Sequence, residues 1–376
     1  MLVASTLLLG FITSGTWWGG KAPDEATAIA RDSSGSFYVA GTTHSEELEA
    51  AGGGLNARPA RHAYPGDIFV QKMTPSGAPV WRAILGGSAT DRATAIAVDS
   101  TGAVYVAGQT YSLDFPATAT AFRKASGNPK ALAADAFVLK LSPEGDRLVY
   151  ATYYGGSETD RANALAIDGE GRAVIVGETY SDDIPTTEGA LTTKVCAGYG
   201  YDGFAAKLNA PGTALVYGTY LCGSGHDHAR AIALNSQGAA IIAGETASRD
   251  FPVTPGAFRE SIASPNFDAF ALKLSPDGKT LEWGTYFGGF ESERVSALAL
   301  DARERVFLAG ETRSSELPGA ATSPAGMQDG FITRLSADGK AVEWTRLFGG
   351  TREERVAAID LTPEGGVWIG GWTPPS

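Results

Sequence analysis

The sequence predicts an all-β chain, a β-propeller built of four-stranded antiparallel blades, and three observations carry that prediction. A corner of Gly-Gly type is followed six times by an acidic residue, an alanine-rich run and a Gly-x-Thr stop. The second glycine of the corner falls at Gly20, Gly87, Gly156, Gly223, Gly289 and Gly350, a period of 61 to 69 residues. The apolar runs between turns are short, rich in Val, Ile, Phe, Tyr and Trp, and bounded by Gly, Pro, Asp and Ser. No stretch carries helical periodicity, so the grammar is that of strands.

Four strands fall in each unit. Strand a is the Ala-Ile-Ala-Val type over 95–99, strand b is Val-Tyr-Val-Ala-Gly over 104–108, strand c covers 69–73 and strand d covers 81–85. The a–b connection is Asp99-Ser-Thr-Gly102, and the c–d connection is Thr74-Pro-Ser-Gly77. Both are tight turns, with Gly at the position an L-residue resists and Pro presetting the preceding dihedral in the second.

The run from Gly86 to Pro116 reads Gly-Gly-x-x-x-Asp-x-Ala-x-x-Ile-Ala-x-Asp-x-x-Gly-x-x-Tyr-Val-x-Gly-x-Thr-x-Ser-x-Asp-Phe-Pro in outline, and Gly155–Pro185 and Gly288–Pro318 repeat it. This pattern resembles the SBBP-type beta-propeller repeat, and the resemblance extends over nearly the whole chain. It implies a bacterial secreted or cell-surface propeller. The family name suggests seven blades, whereas six a–b pairs are present here, so six blades are expected with seven as the alternative.

The ends bear on closure. The last unit stops after strand b, at Val367–Thr373, while Ile12–Trp18 aligns with the strand d at Leu281–Phe287. Residues 12–18 and 2–8 are therefore expected to supply the missing strands d and c, closing a single domain over 1–376 and removing an open sheet edge. The rival reading makes the first residues part of a secretory signal, since Leu2–Ile12 is apolar enough for its core. No Lys or Arg precedes that run, and no other apolar run approaches the length of a membrane-spanning helix.

Composition narrows the partners. The net charge of −12 argues against nucleic acid or an anionic membrane surface. The 48 glycines sit at fixed positions of the repeat and mark turns. Cys196 lies in a b–c loop, and Cys222 replaces the first Gly of a corner. Both loops emerge on one face of a propeller, so a disulfide is expected in an oxidising compartment, with a free or reactive thiol as the alternative.

The acid after the corner recurs as Asp24, Asp91, Asp160, Asp227, Glu293 and Glu354, followed by Arg92, Arg161, Arg294 and Arg355 in four units. A ring of carboxylates around the channel could hold calcium, but six-fold recurrence favours a structural acceptor of backbone N–H bonds, because asymmetric chemistry needs one copy. No other cofactor is expected. Departures from the repeat point better to function. The fourth corner reads Cys222-Gly-Ser-Gly-His226-Asp-His228, which places both rings on one side of a strand and is short of ligands for a transition metal. His44 and His62, flanking the first b–c loop, could join them only from across the ring.

The b–c loops, over 43–66, 111–134, 180–201, 247–267 and 313–328, are long and unalike. Loops of this kind on a regular scaffold carry recognition. Tyr111, Tyr180, Tyr199, Tyr201, Phe258 and Phe267 are the candidate ligand contacts, while Phe115 and Phe251 are expected to pack inward. The chain has no His-Glu-x-x-His, no Gly-x-Ser-x-Gly and no phosphate-binding loop. The expected function is a non-enzymatic binding propeller, monomeric, taking a glycan or protein on the loop face. The alternatives are a polysaccharide hydrolase or lyase, with two carboxylates or a carboxylate, Tyr and Arg in a loop-face pocket, and a structural module of a longer surface protein.

Overall fold

The computed structural model describes residues 19–58, 66–128, 133–196, 200–263, 266–323, 326–362 and 364–373. Over these the chain is all-β and forms six sheets, five of which carry the antiparallel order a–b–c–d. In the second sheet these are Asp91–Val98, Val104–Thr110, Asp135–Leu141 and Leu148–Tyr154; in the third, Asp160–Ile167, Ala173–Thr179, Asp202–Leu208 and Leu215–Leu221. The fourth runs Asp227–Leu234, Ala240–Thr246, Asp268–Leu274 and Leu281–Phe287. The fifth runs Glu293–Leu300, Val306–Thr312, Asp329–Leu335 and Val342–Phe348. The first, from Asp24–Arg31 to Pro79–Leu85, gains a short parallel strand, Asn56–Ala57, on its outer edge. The sixth consists of Arg355–Leu361 and Val367–Trp372 alone. No helix among the described residues is long and apolar enough to cross a membrane.

Strand a packs on strand a of the next sheet from the first to the sixth, which sets the sheets around a common axis. The apolar clusters accordingly lie between sheets. One joins Tyr38, Val70 and Trp81 to Val104, Phe137 and Leu139, and the next joins Tyr105, Val138 and Tyr150 to Ile175, Phe204 and Leu208. The c–d turns of the second to fifth sheets reach back to the preceding sheet. Gly145 takes φ 70° and lies against the Trp81 ring, where any Cβ would collide, and Gly212 does the same on Tyr150. The expected closing strands at 2–8 and 12–18 lie outside the described residues. Among the described residues this packing is not continued from the sixth sheet to the first, and Trp368, Ile369 and Trp372 of the sixth stand exposed.

Strand a is longer than the 95–99 read from its apolar run, because it starts at the acid of the corner. Asp91 pairs with Thr110, and the register then slips by one residue between Ala93 and Ala95. The same bulge recurs in all six sheets and leaves the residue three after the corner acid outside the ladder: Thr27, Thr94, Asn163, Arg230, Ser296 and Ala357. Three of these bond to the next sheet, Thr27 to the Ala93 carbonyl at 2.7 Å, Thr94 to that of Ala162 at 2.6 Å and Asn163 to that of Ala229 at 3.0 Å.

The corner acids hold the junctions. Asp160 is fully buried and accepts from the Gly156 N–H at 2.7 Å, the Ser181 hydroxyl at 3.0 Å and the Thr179 hydroxyl. Asp227 repeats the set in full, Asp91 takes the Gly87 N–H and the Ser112 hydroxyl, and Glu293 takes the Gly289 N–H and the Thr312 hydroxyl, while the Arg after the acid turns away, Arg161 to Glu178 and Arg294 toward Glu311. A d-strand tyrosine then fixes the loop that follows strand b. Tyr220 donates to the Ser181 carbonyl at 3.0 Å and accepts from the Ile184 N–H at 3.2 Å, and Tyr153 and Tyr286 act alike on their loops. Phe115 and Phe251 are buried beside them, as expected.

Burial outweighs the hydrogen bonds at these acids and raises their carboxyls, Asp91, Asp160 and Glu293 to about 7 and Asp227 to about 6. A carboxyl raised in the folded state contributes stability that is full below the unfolded value near 4 and lost as pH climbs through 6 to 7. We expect the midpoint of guanidinium unfolding to fall between pH 5 and pH 8, and Asp160→Asn to remove one group's share of the slope, at most about 1.4 kcal/mol per pH unit. A midpoint that rises over that interval would contradict the assignment.

Candidate functional site

The bulges determine what faces the axis. Thr94, Asn163, Arg230, Ser296 and Ala357, one from each of five sheets, line a cavity of about 430 Å³ together with Glu245, Arg294, Glu311 and Arg355. A second cavity of about 280 Å³ shares Arg294 and Glu311 and adds Phe267, Ser292, Arg313 and Gln328. The second residue of strand a and the next-to-last of strand b are ladder partners, so Arg161 stands opposite Glu178, His228 opposite Glu245 and Arg294 opposite Glu311.

Glu178 is the hub of this layer. It is 4 % exposed and takes Arg161 at 3.2 Å, the His228 Nδ1 at 2.7 Å and Arg230 at 3.1 Å, the last two from the neighbouring sheet. Arg230 bridges on to Glu245 at 2.9 Å. Burial alone would raise the Glu178 carboxyl, but the His228 hydrogen bond and the charges of Arg230 and Arg161 hold it down to about 2. Arg230 thus abandons the carbonyl bond made by the equivalent Thr27, Thr94 and Asn163, and ties two sheets together by charge.

Aromatic side chains lie over the hub. The Tyr180 and Tyr201 rings are 3.6 Å apart, Tyr201 and His228 5.4 Å, and His228 and Phe267 5.9 Å. The Tyr201 hydroxyl accepts from Arg161 at 3.3 Å, and Tyr111 lies near enough to raise the same guanidinium. His226 and His228 stack with ring centres 6.3 Å apart, while Asp227 between them points into the protein. The Tyr201 N–H donates to the His226 Nδ1 at 3.3 Å. No group of three or more His, Cys, Asp or Glu able to hold a metal ion occurs among the described residues.

Tyr111, Tyr180, Tyr201 and Phe267 are therefore brought to one face, with Arg161, His226 and His228. Tyr199 and His62 lie outside the described residues. Phe258 is elsewhere, a correction with a clear cause. The middle of each b–c loop runs down the outer edge of its own sheet, Thr254 bonding to the Gly284 carbonyl and Arg259 to Tyr286, until the Phe258 N–H reaches the Gly339 carbonyl of the next c–d turn. There its ring packs against the cluster of Trp283 and Phe331. His44 stays on the first sheet beside Gly66. Cys196 and Cys222 are joined in the structure, with Cα atoms 5.8 Å apart, and the Cys196 N–H donates to Asp202.

Glu178, Glu245 and Arg230 escaped the sequence reading. Their signals were present: the x of the Gly-x-Thr stop is Glu in Gly177-Glu-Thr179, Gly244-Glu-Thr246 and Gly310-Glu-Thr312, and Arg230 interrupts an alanine run where other units carry Thr, Asn, Ser or Ala.

The SBBP model, described as a Beta-propeller repeat, matches residues 80–116, the stretch on which the resemblance was read. The chain is 25 % identical over 328 residues to the regulatory protein FlaEY of Caulobacter vibrioides, covering 81 % of this chain and 32 % of that protein, so it spans about a third of its curated relative. Among solved structures it is similar to a K499G mutant of NanB sialidase from Streptococcus pneumoniae, at 9 % identity and TM-score 0.50 over 95 % of this chain and 66 % of that one. It is also similar to a protein of unknown function from Dyadobacter fermentans, at 12 % identity and TM-score 0.46 over 94 % and 95 % of the two chains. The chain is a β-propeller with propeller repeats.

A lowered carboxyl contributes stability above the unfolded value near 4.5 and loses it as pH falls toward 2. Glu178→Gln leaves Arg161 and Arg230 without their common partner and should cost on the order of 3 kcal/mol in urea unfolding at pH 7. The gap to the parent should narrow below pH 4. An unchanged midpoint at pH 7 would deny the hub its structural role.

Proposed function

We propose that this propeller is a non-enzymatic binding module that takes a glycan at the loop-side mouth of its channel. The row Tyr180–Tyr201–His228–Phe267 carries the reading. It presents aromatic faces of which Tyr180 is 46 % exposed, on loops held by buried tyrosines and above a charged layer held by Glu178. Rigid aromatics with polar tips supply contact area at small entropic cost. The module is a monomer, secreted or at the cell surface, with calcium the one cofactor to test; a protein ligand on the same face is the other outcome to test.

The hydrolase reading draws on the same place, since a carboxylate, Tyr201 and Arg161 do converge there. Glu178, however, is buried and committed to three partners, and a carboxyl held near 2 is a weak base at neutral pH. A second reading, a structural module within a longer surface protein, draws support from the size of FlaEY, of which this chain matches a third.

The ring itself we propose to be a single domain of six blades, with residues 12–18 and 2–8 laid as strands d and c on the sixth sheet. The exposed Trp368 and Trp372, on one side of their strand, support this, because a two-stranded sheet with an apolar face is an unfinished blade. Deleting residues 1–18 should lower the unfolding temperature by several degrees; equal stability would remove the closure.

Binding to an array of bacterial and plant polysaccharides, with and without calcium, tests the function. Tyr180→Ala and Tyr201→Ala should each weaken saturable binding about ten-fold or more. Release of new reducing ends from any glycan would overturn the non-enzymatic reading, and silence across the array would overturn the glycan.

A further inference from the structure

Charge at the channel mouth runs against that of the chain. Lining the two cavities are four guanidiniums, Arg230, Arg294, Arg313 and Arg355, and two carboxylates, Glu245 and Glu311. Arg230 is neutralised by Glu178 and Glu245. The others are not. Arg294 has a 63 % exposed side chain and meets Glu311 only at 3.9 Å, beyond hydrogen-bond reach. Arg313 is exposed and donates to the neutral Gln328 at 3.2 Å. Arg355 lies over the Trp372 ring at 5.7 Å. The whole chain meanwhile carries −12. Cations crowded on one concave wall of an acidic protein repel one another, and a bound anion relieves that repulsion while taking bidentate hydrogen bonds from the guanidinium forks.

We propose that the glycan recognised here is anionic, its carboxylate or sulfate group held by Arg294, Arg313 and Arg355 while a neighbouring sugar ring rests on Phe267. The inference rests on the glycan reading above and adds the chemical class of the ligand. Phe267 links the two halves of the site, since it ends the aromatic row and lines the cavity of Arg294 and Arg313. Long-range attraction plays no part, because the net field of the chain repels an anion and selection arises in contact.

Calorimetric titration of the full chain with three probes tests this: oligogalacturonate, a sulfated galactan oligomer and a neutral galactan oligomer of matched length. Oligogalacturonate or the sulfated oligomer should bind at least ten-fold more tightly than the neutral one, and the preference between the first two tells carboxylate from sulfate. Arg294→Gln and Arg313→Gln, both at exposed positions, should each weaken the anionic probe about ten-fold or more, the range of a charge-assisted hydrogen bond. Arg92→Gln, on the second sheet and outside both cavities, should change nothing. Equal affinity for the neutral oligomer, or binding indifferent to Arg294→Gln but lost in Tyr201→Ala, would overturn the anionic class and leave the glycan reading standing. Absence of binding by all three probes would overturn both.

Discussion

Each junction from the first sheet to the fifth turns on a carboxylate that water does not reach. The acid opening strand a accepts the N–H of the corner glycine that led the chain in from the previous sheet, the hydroxyl of the Thr that ends strand b, and the hydroxyl of the Ser that begins the loop after it. One side chain thereby fixes the crossover, the end of a strand and the departure of a loop. An unpaired carboxylate at such depth would be costly, so the acid and its donors recur together in the first five units, while the sixth, whose Glu354 is partly exposed, has Pro375 in place of the Ser. That mutual dependence is why corner, acid, Thr and Ser recur as a block along the chain.

The functional layer is built on top of these junctions. Arg161 and His228 follow their acids by one residue, Glu178 and Glu245 precede their Thr by one, and Tyr180 lies between Thr179 and Ser181. Their positions are inherited from the lock beneath. What varies among sheets is only what the lock presents, and the third and fourth sheets present the aromatic and ionic set, with the fifth adding Arg294 and Arg313.

The repeat made the fold legible because turn glycines, the d-strand tyrosines and the corner acids all report one frame. Strand a was cut short in the reading, since an acid at its first position does not look like a strand residue until its partner Thr is known. Within the site, Tyr111, Tyr180, Tyr201, Phe267 and the His226–His228 pair were legible as departures from the frame. Phe258 was not, because an aromatic on a loop carries no mark of how far down the edge that loop will run. Glu178 and Arg230 were hidden for the opposite reason: each occupies a position the repeat leaves variable, and their meeting depends on two sheets coming side by side.

The descent of the b–c loops along the outer strands has a consequence for how such a chain behaves in company. By hydrogen bonding to strand d, as Thr187 does at Gly218 and Thr254 at Gly284, the loops occupy the donors and acceptors that a stray strand would otherwise recruit. The rim of the second to fourth sheets thus has part of its outer edge taken up by its own loops. At these sheets, copies displayed at high density would meet an edge already engaged by the chain's own loops.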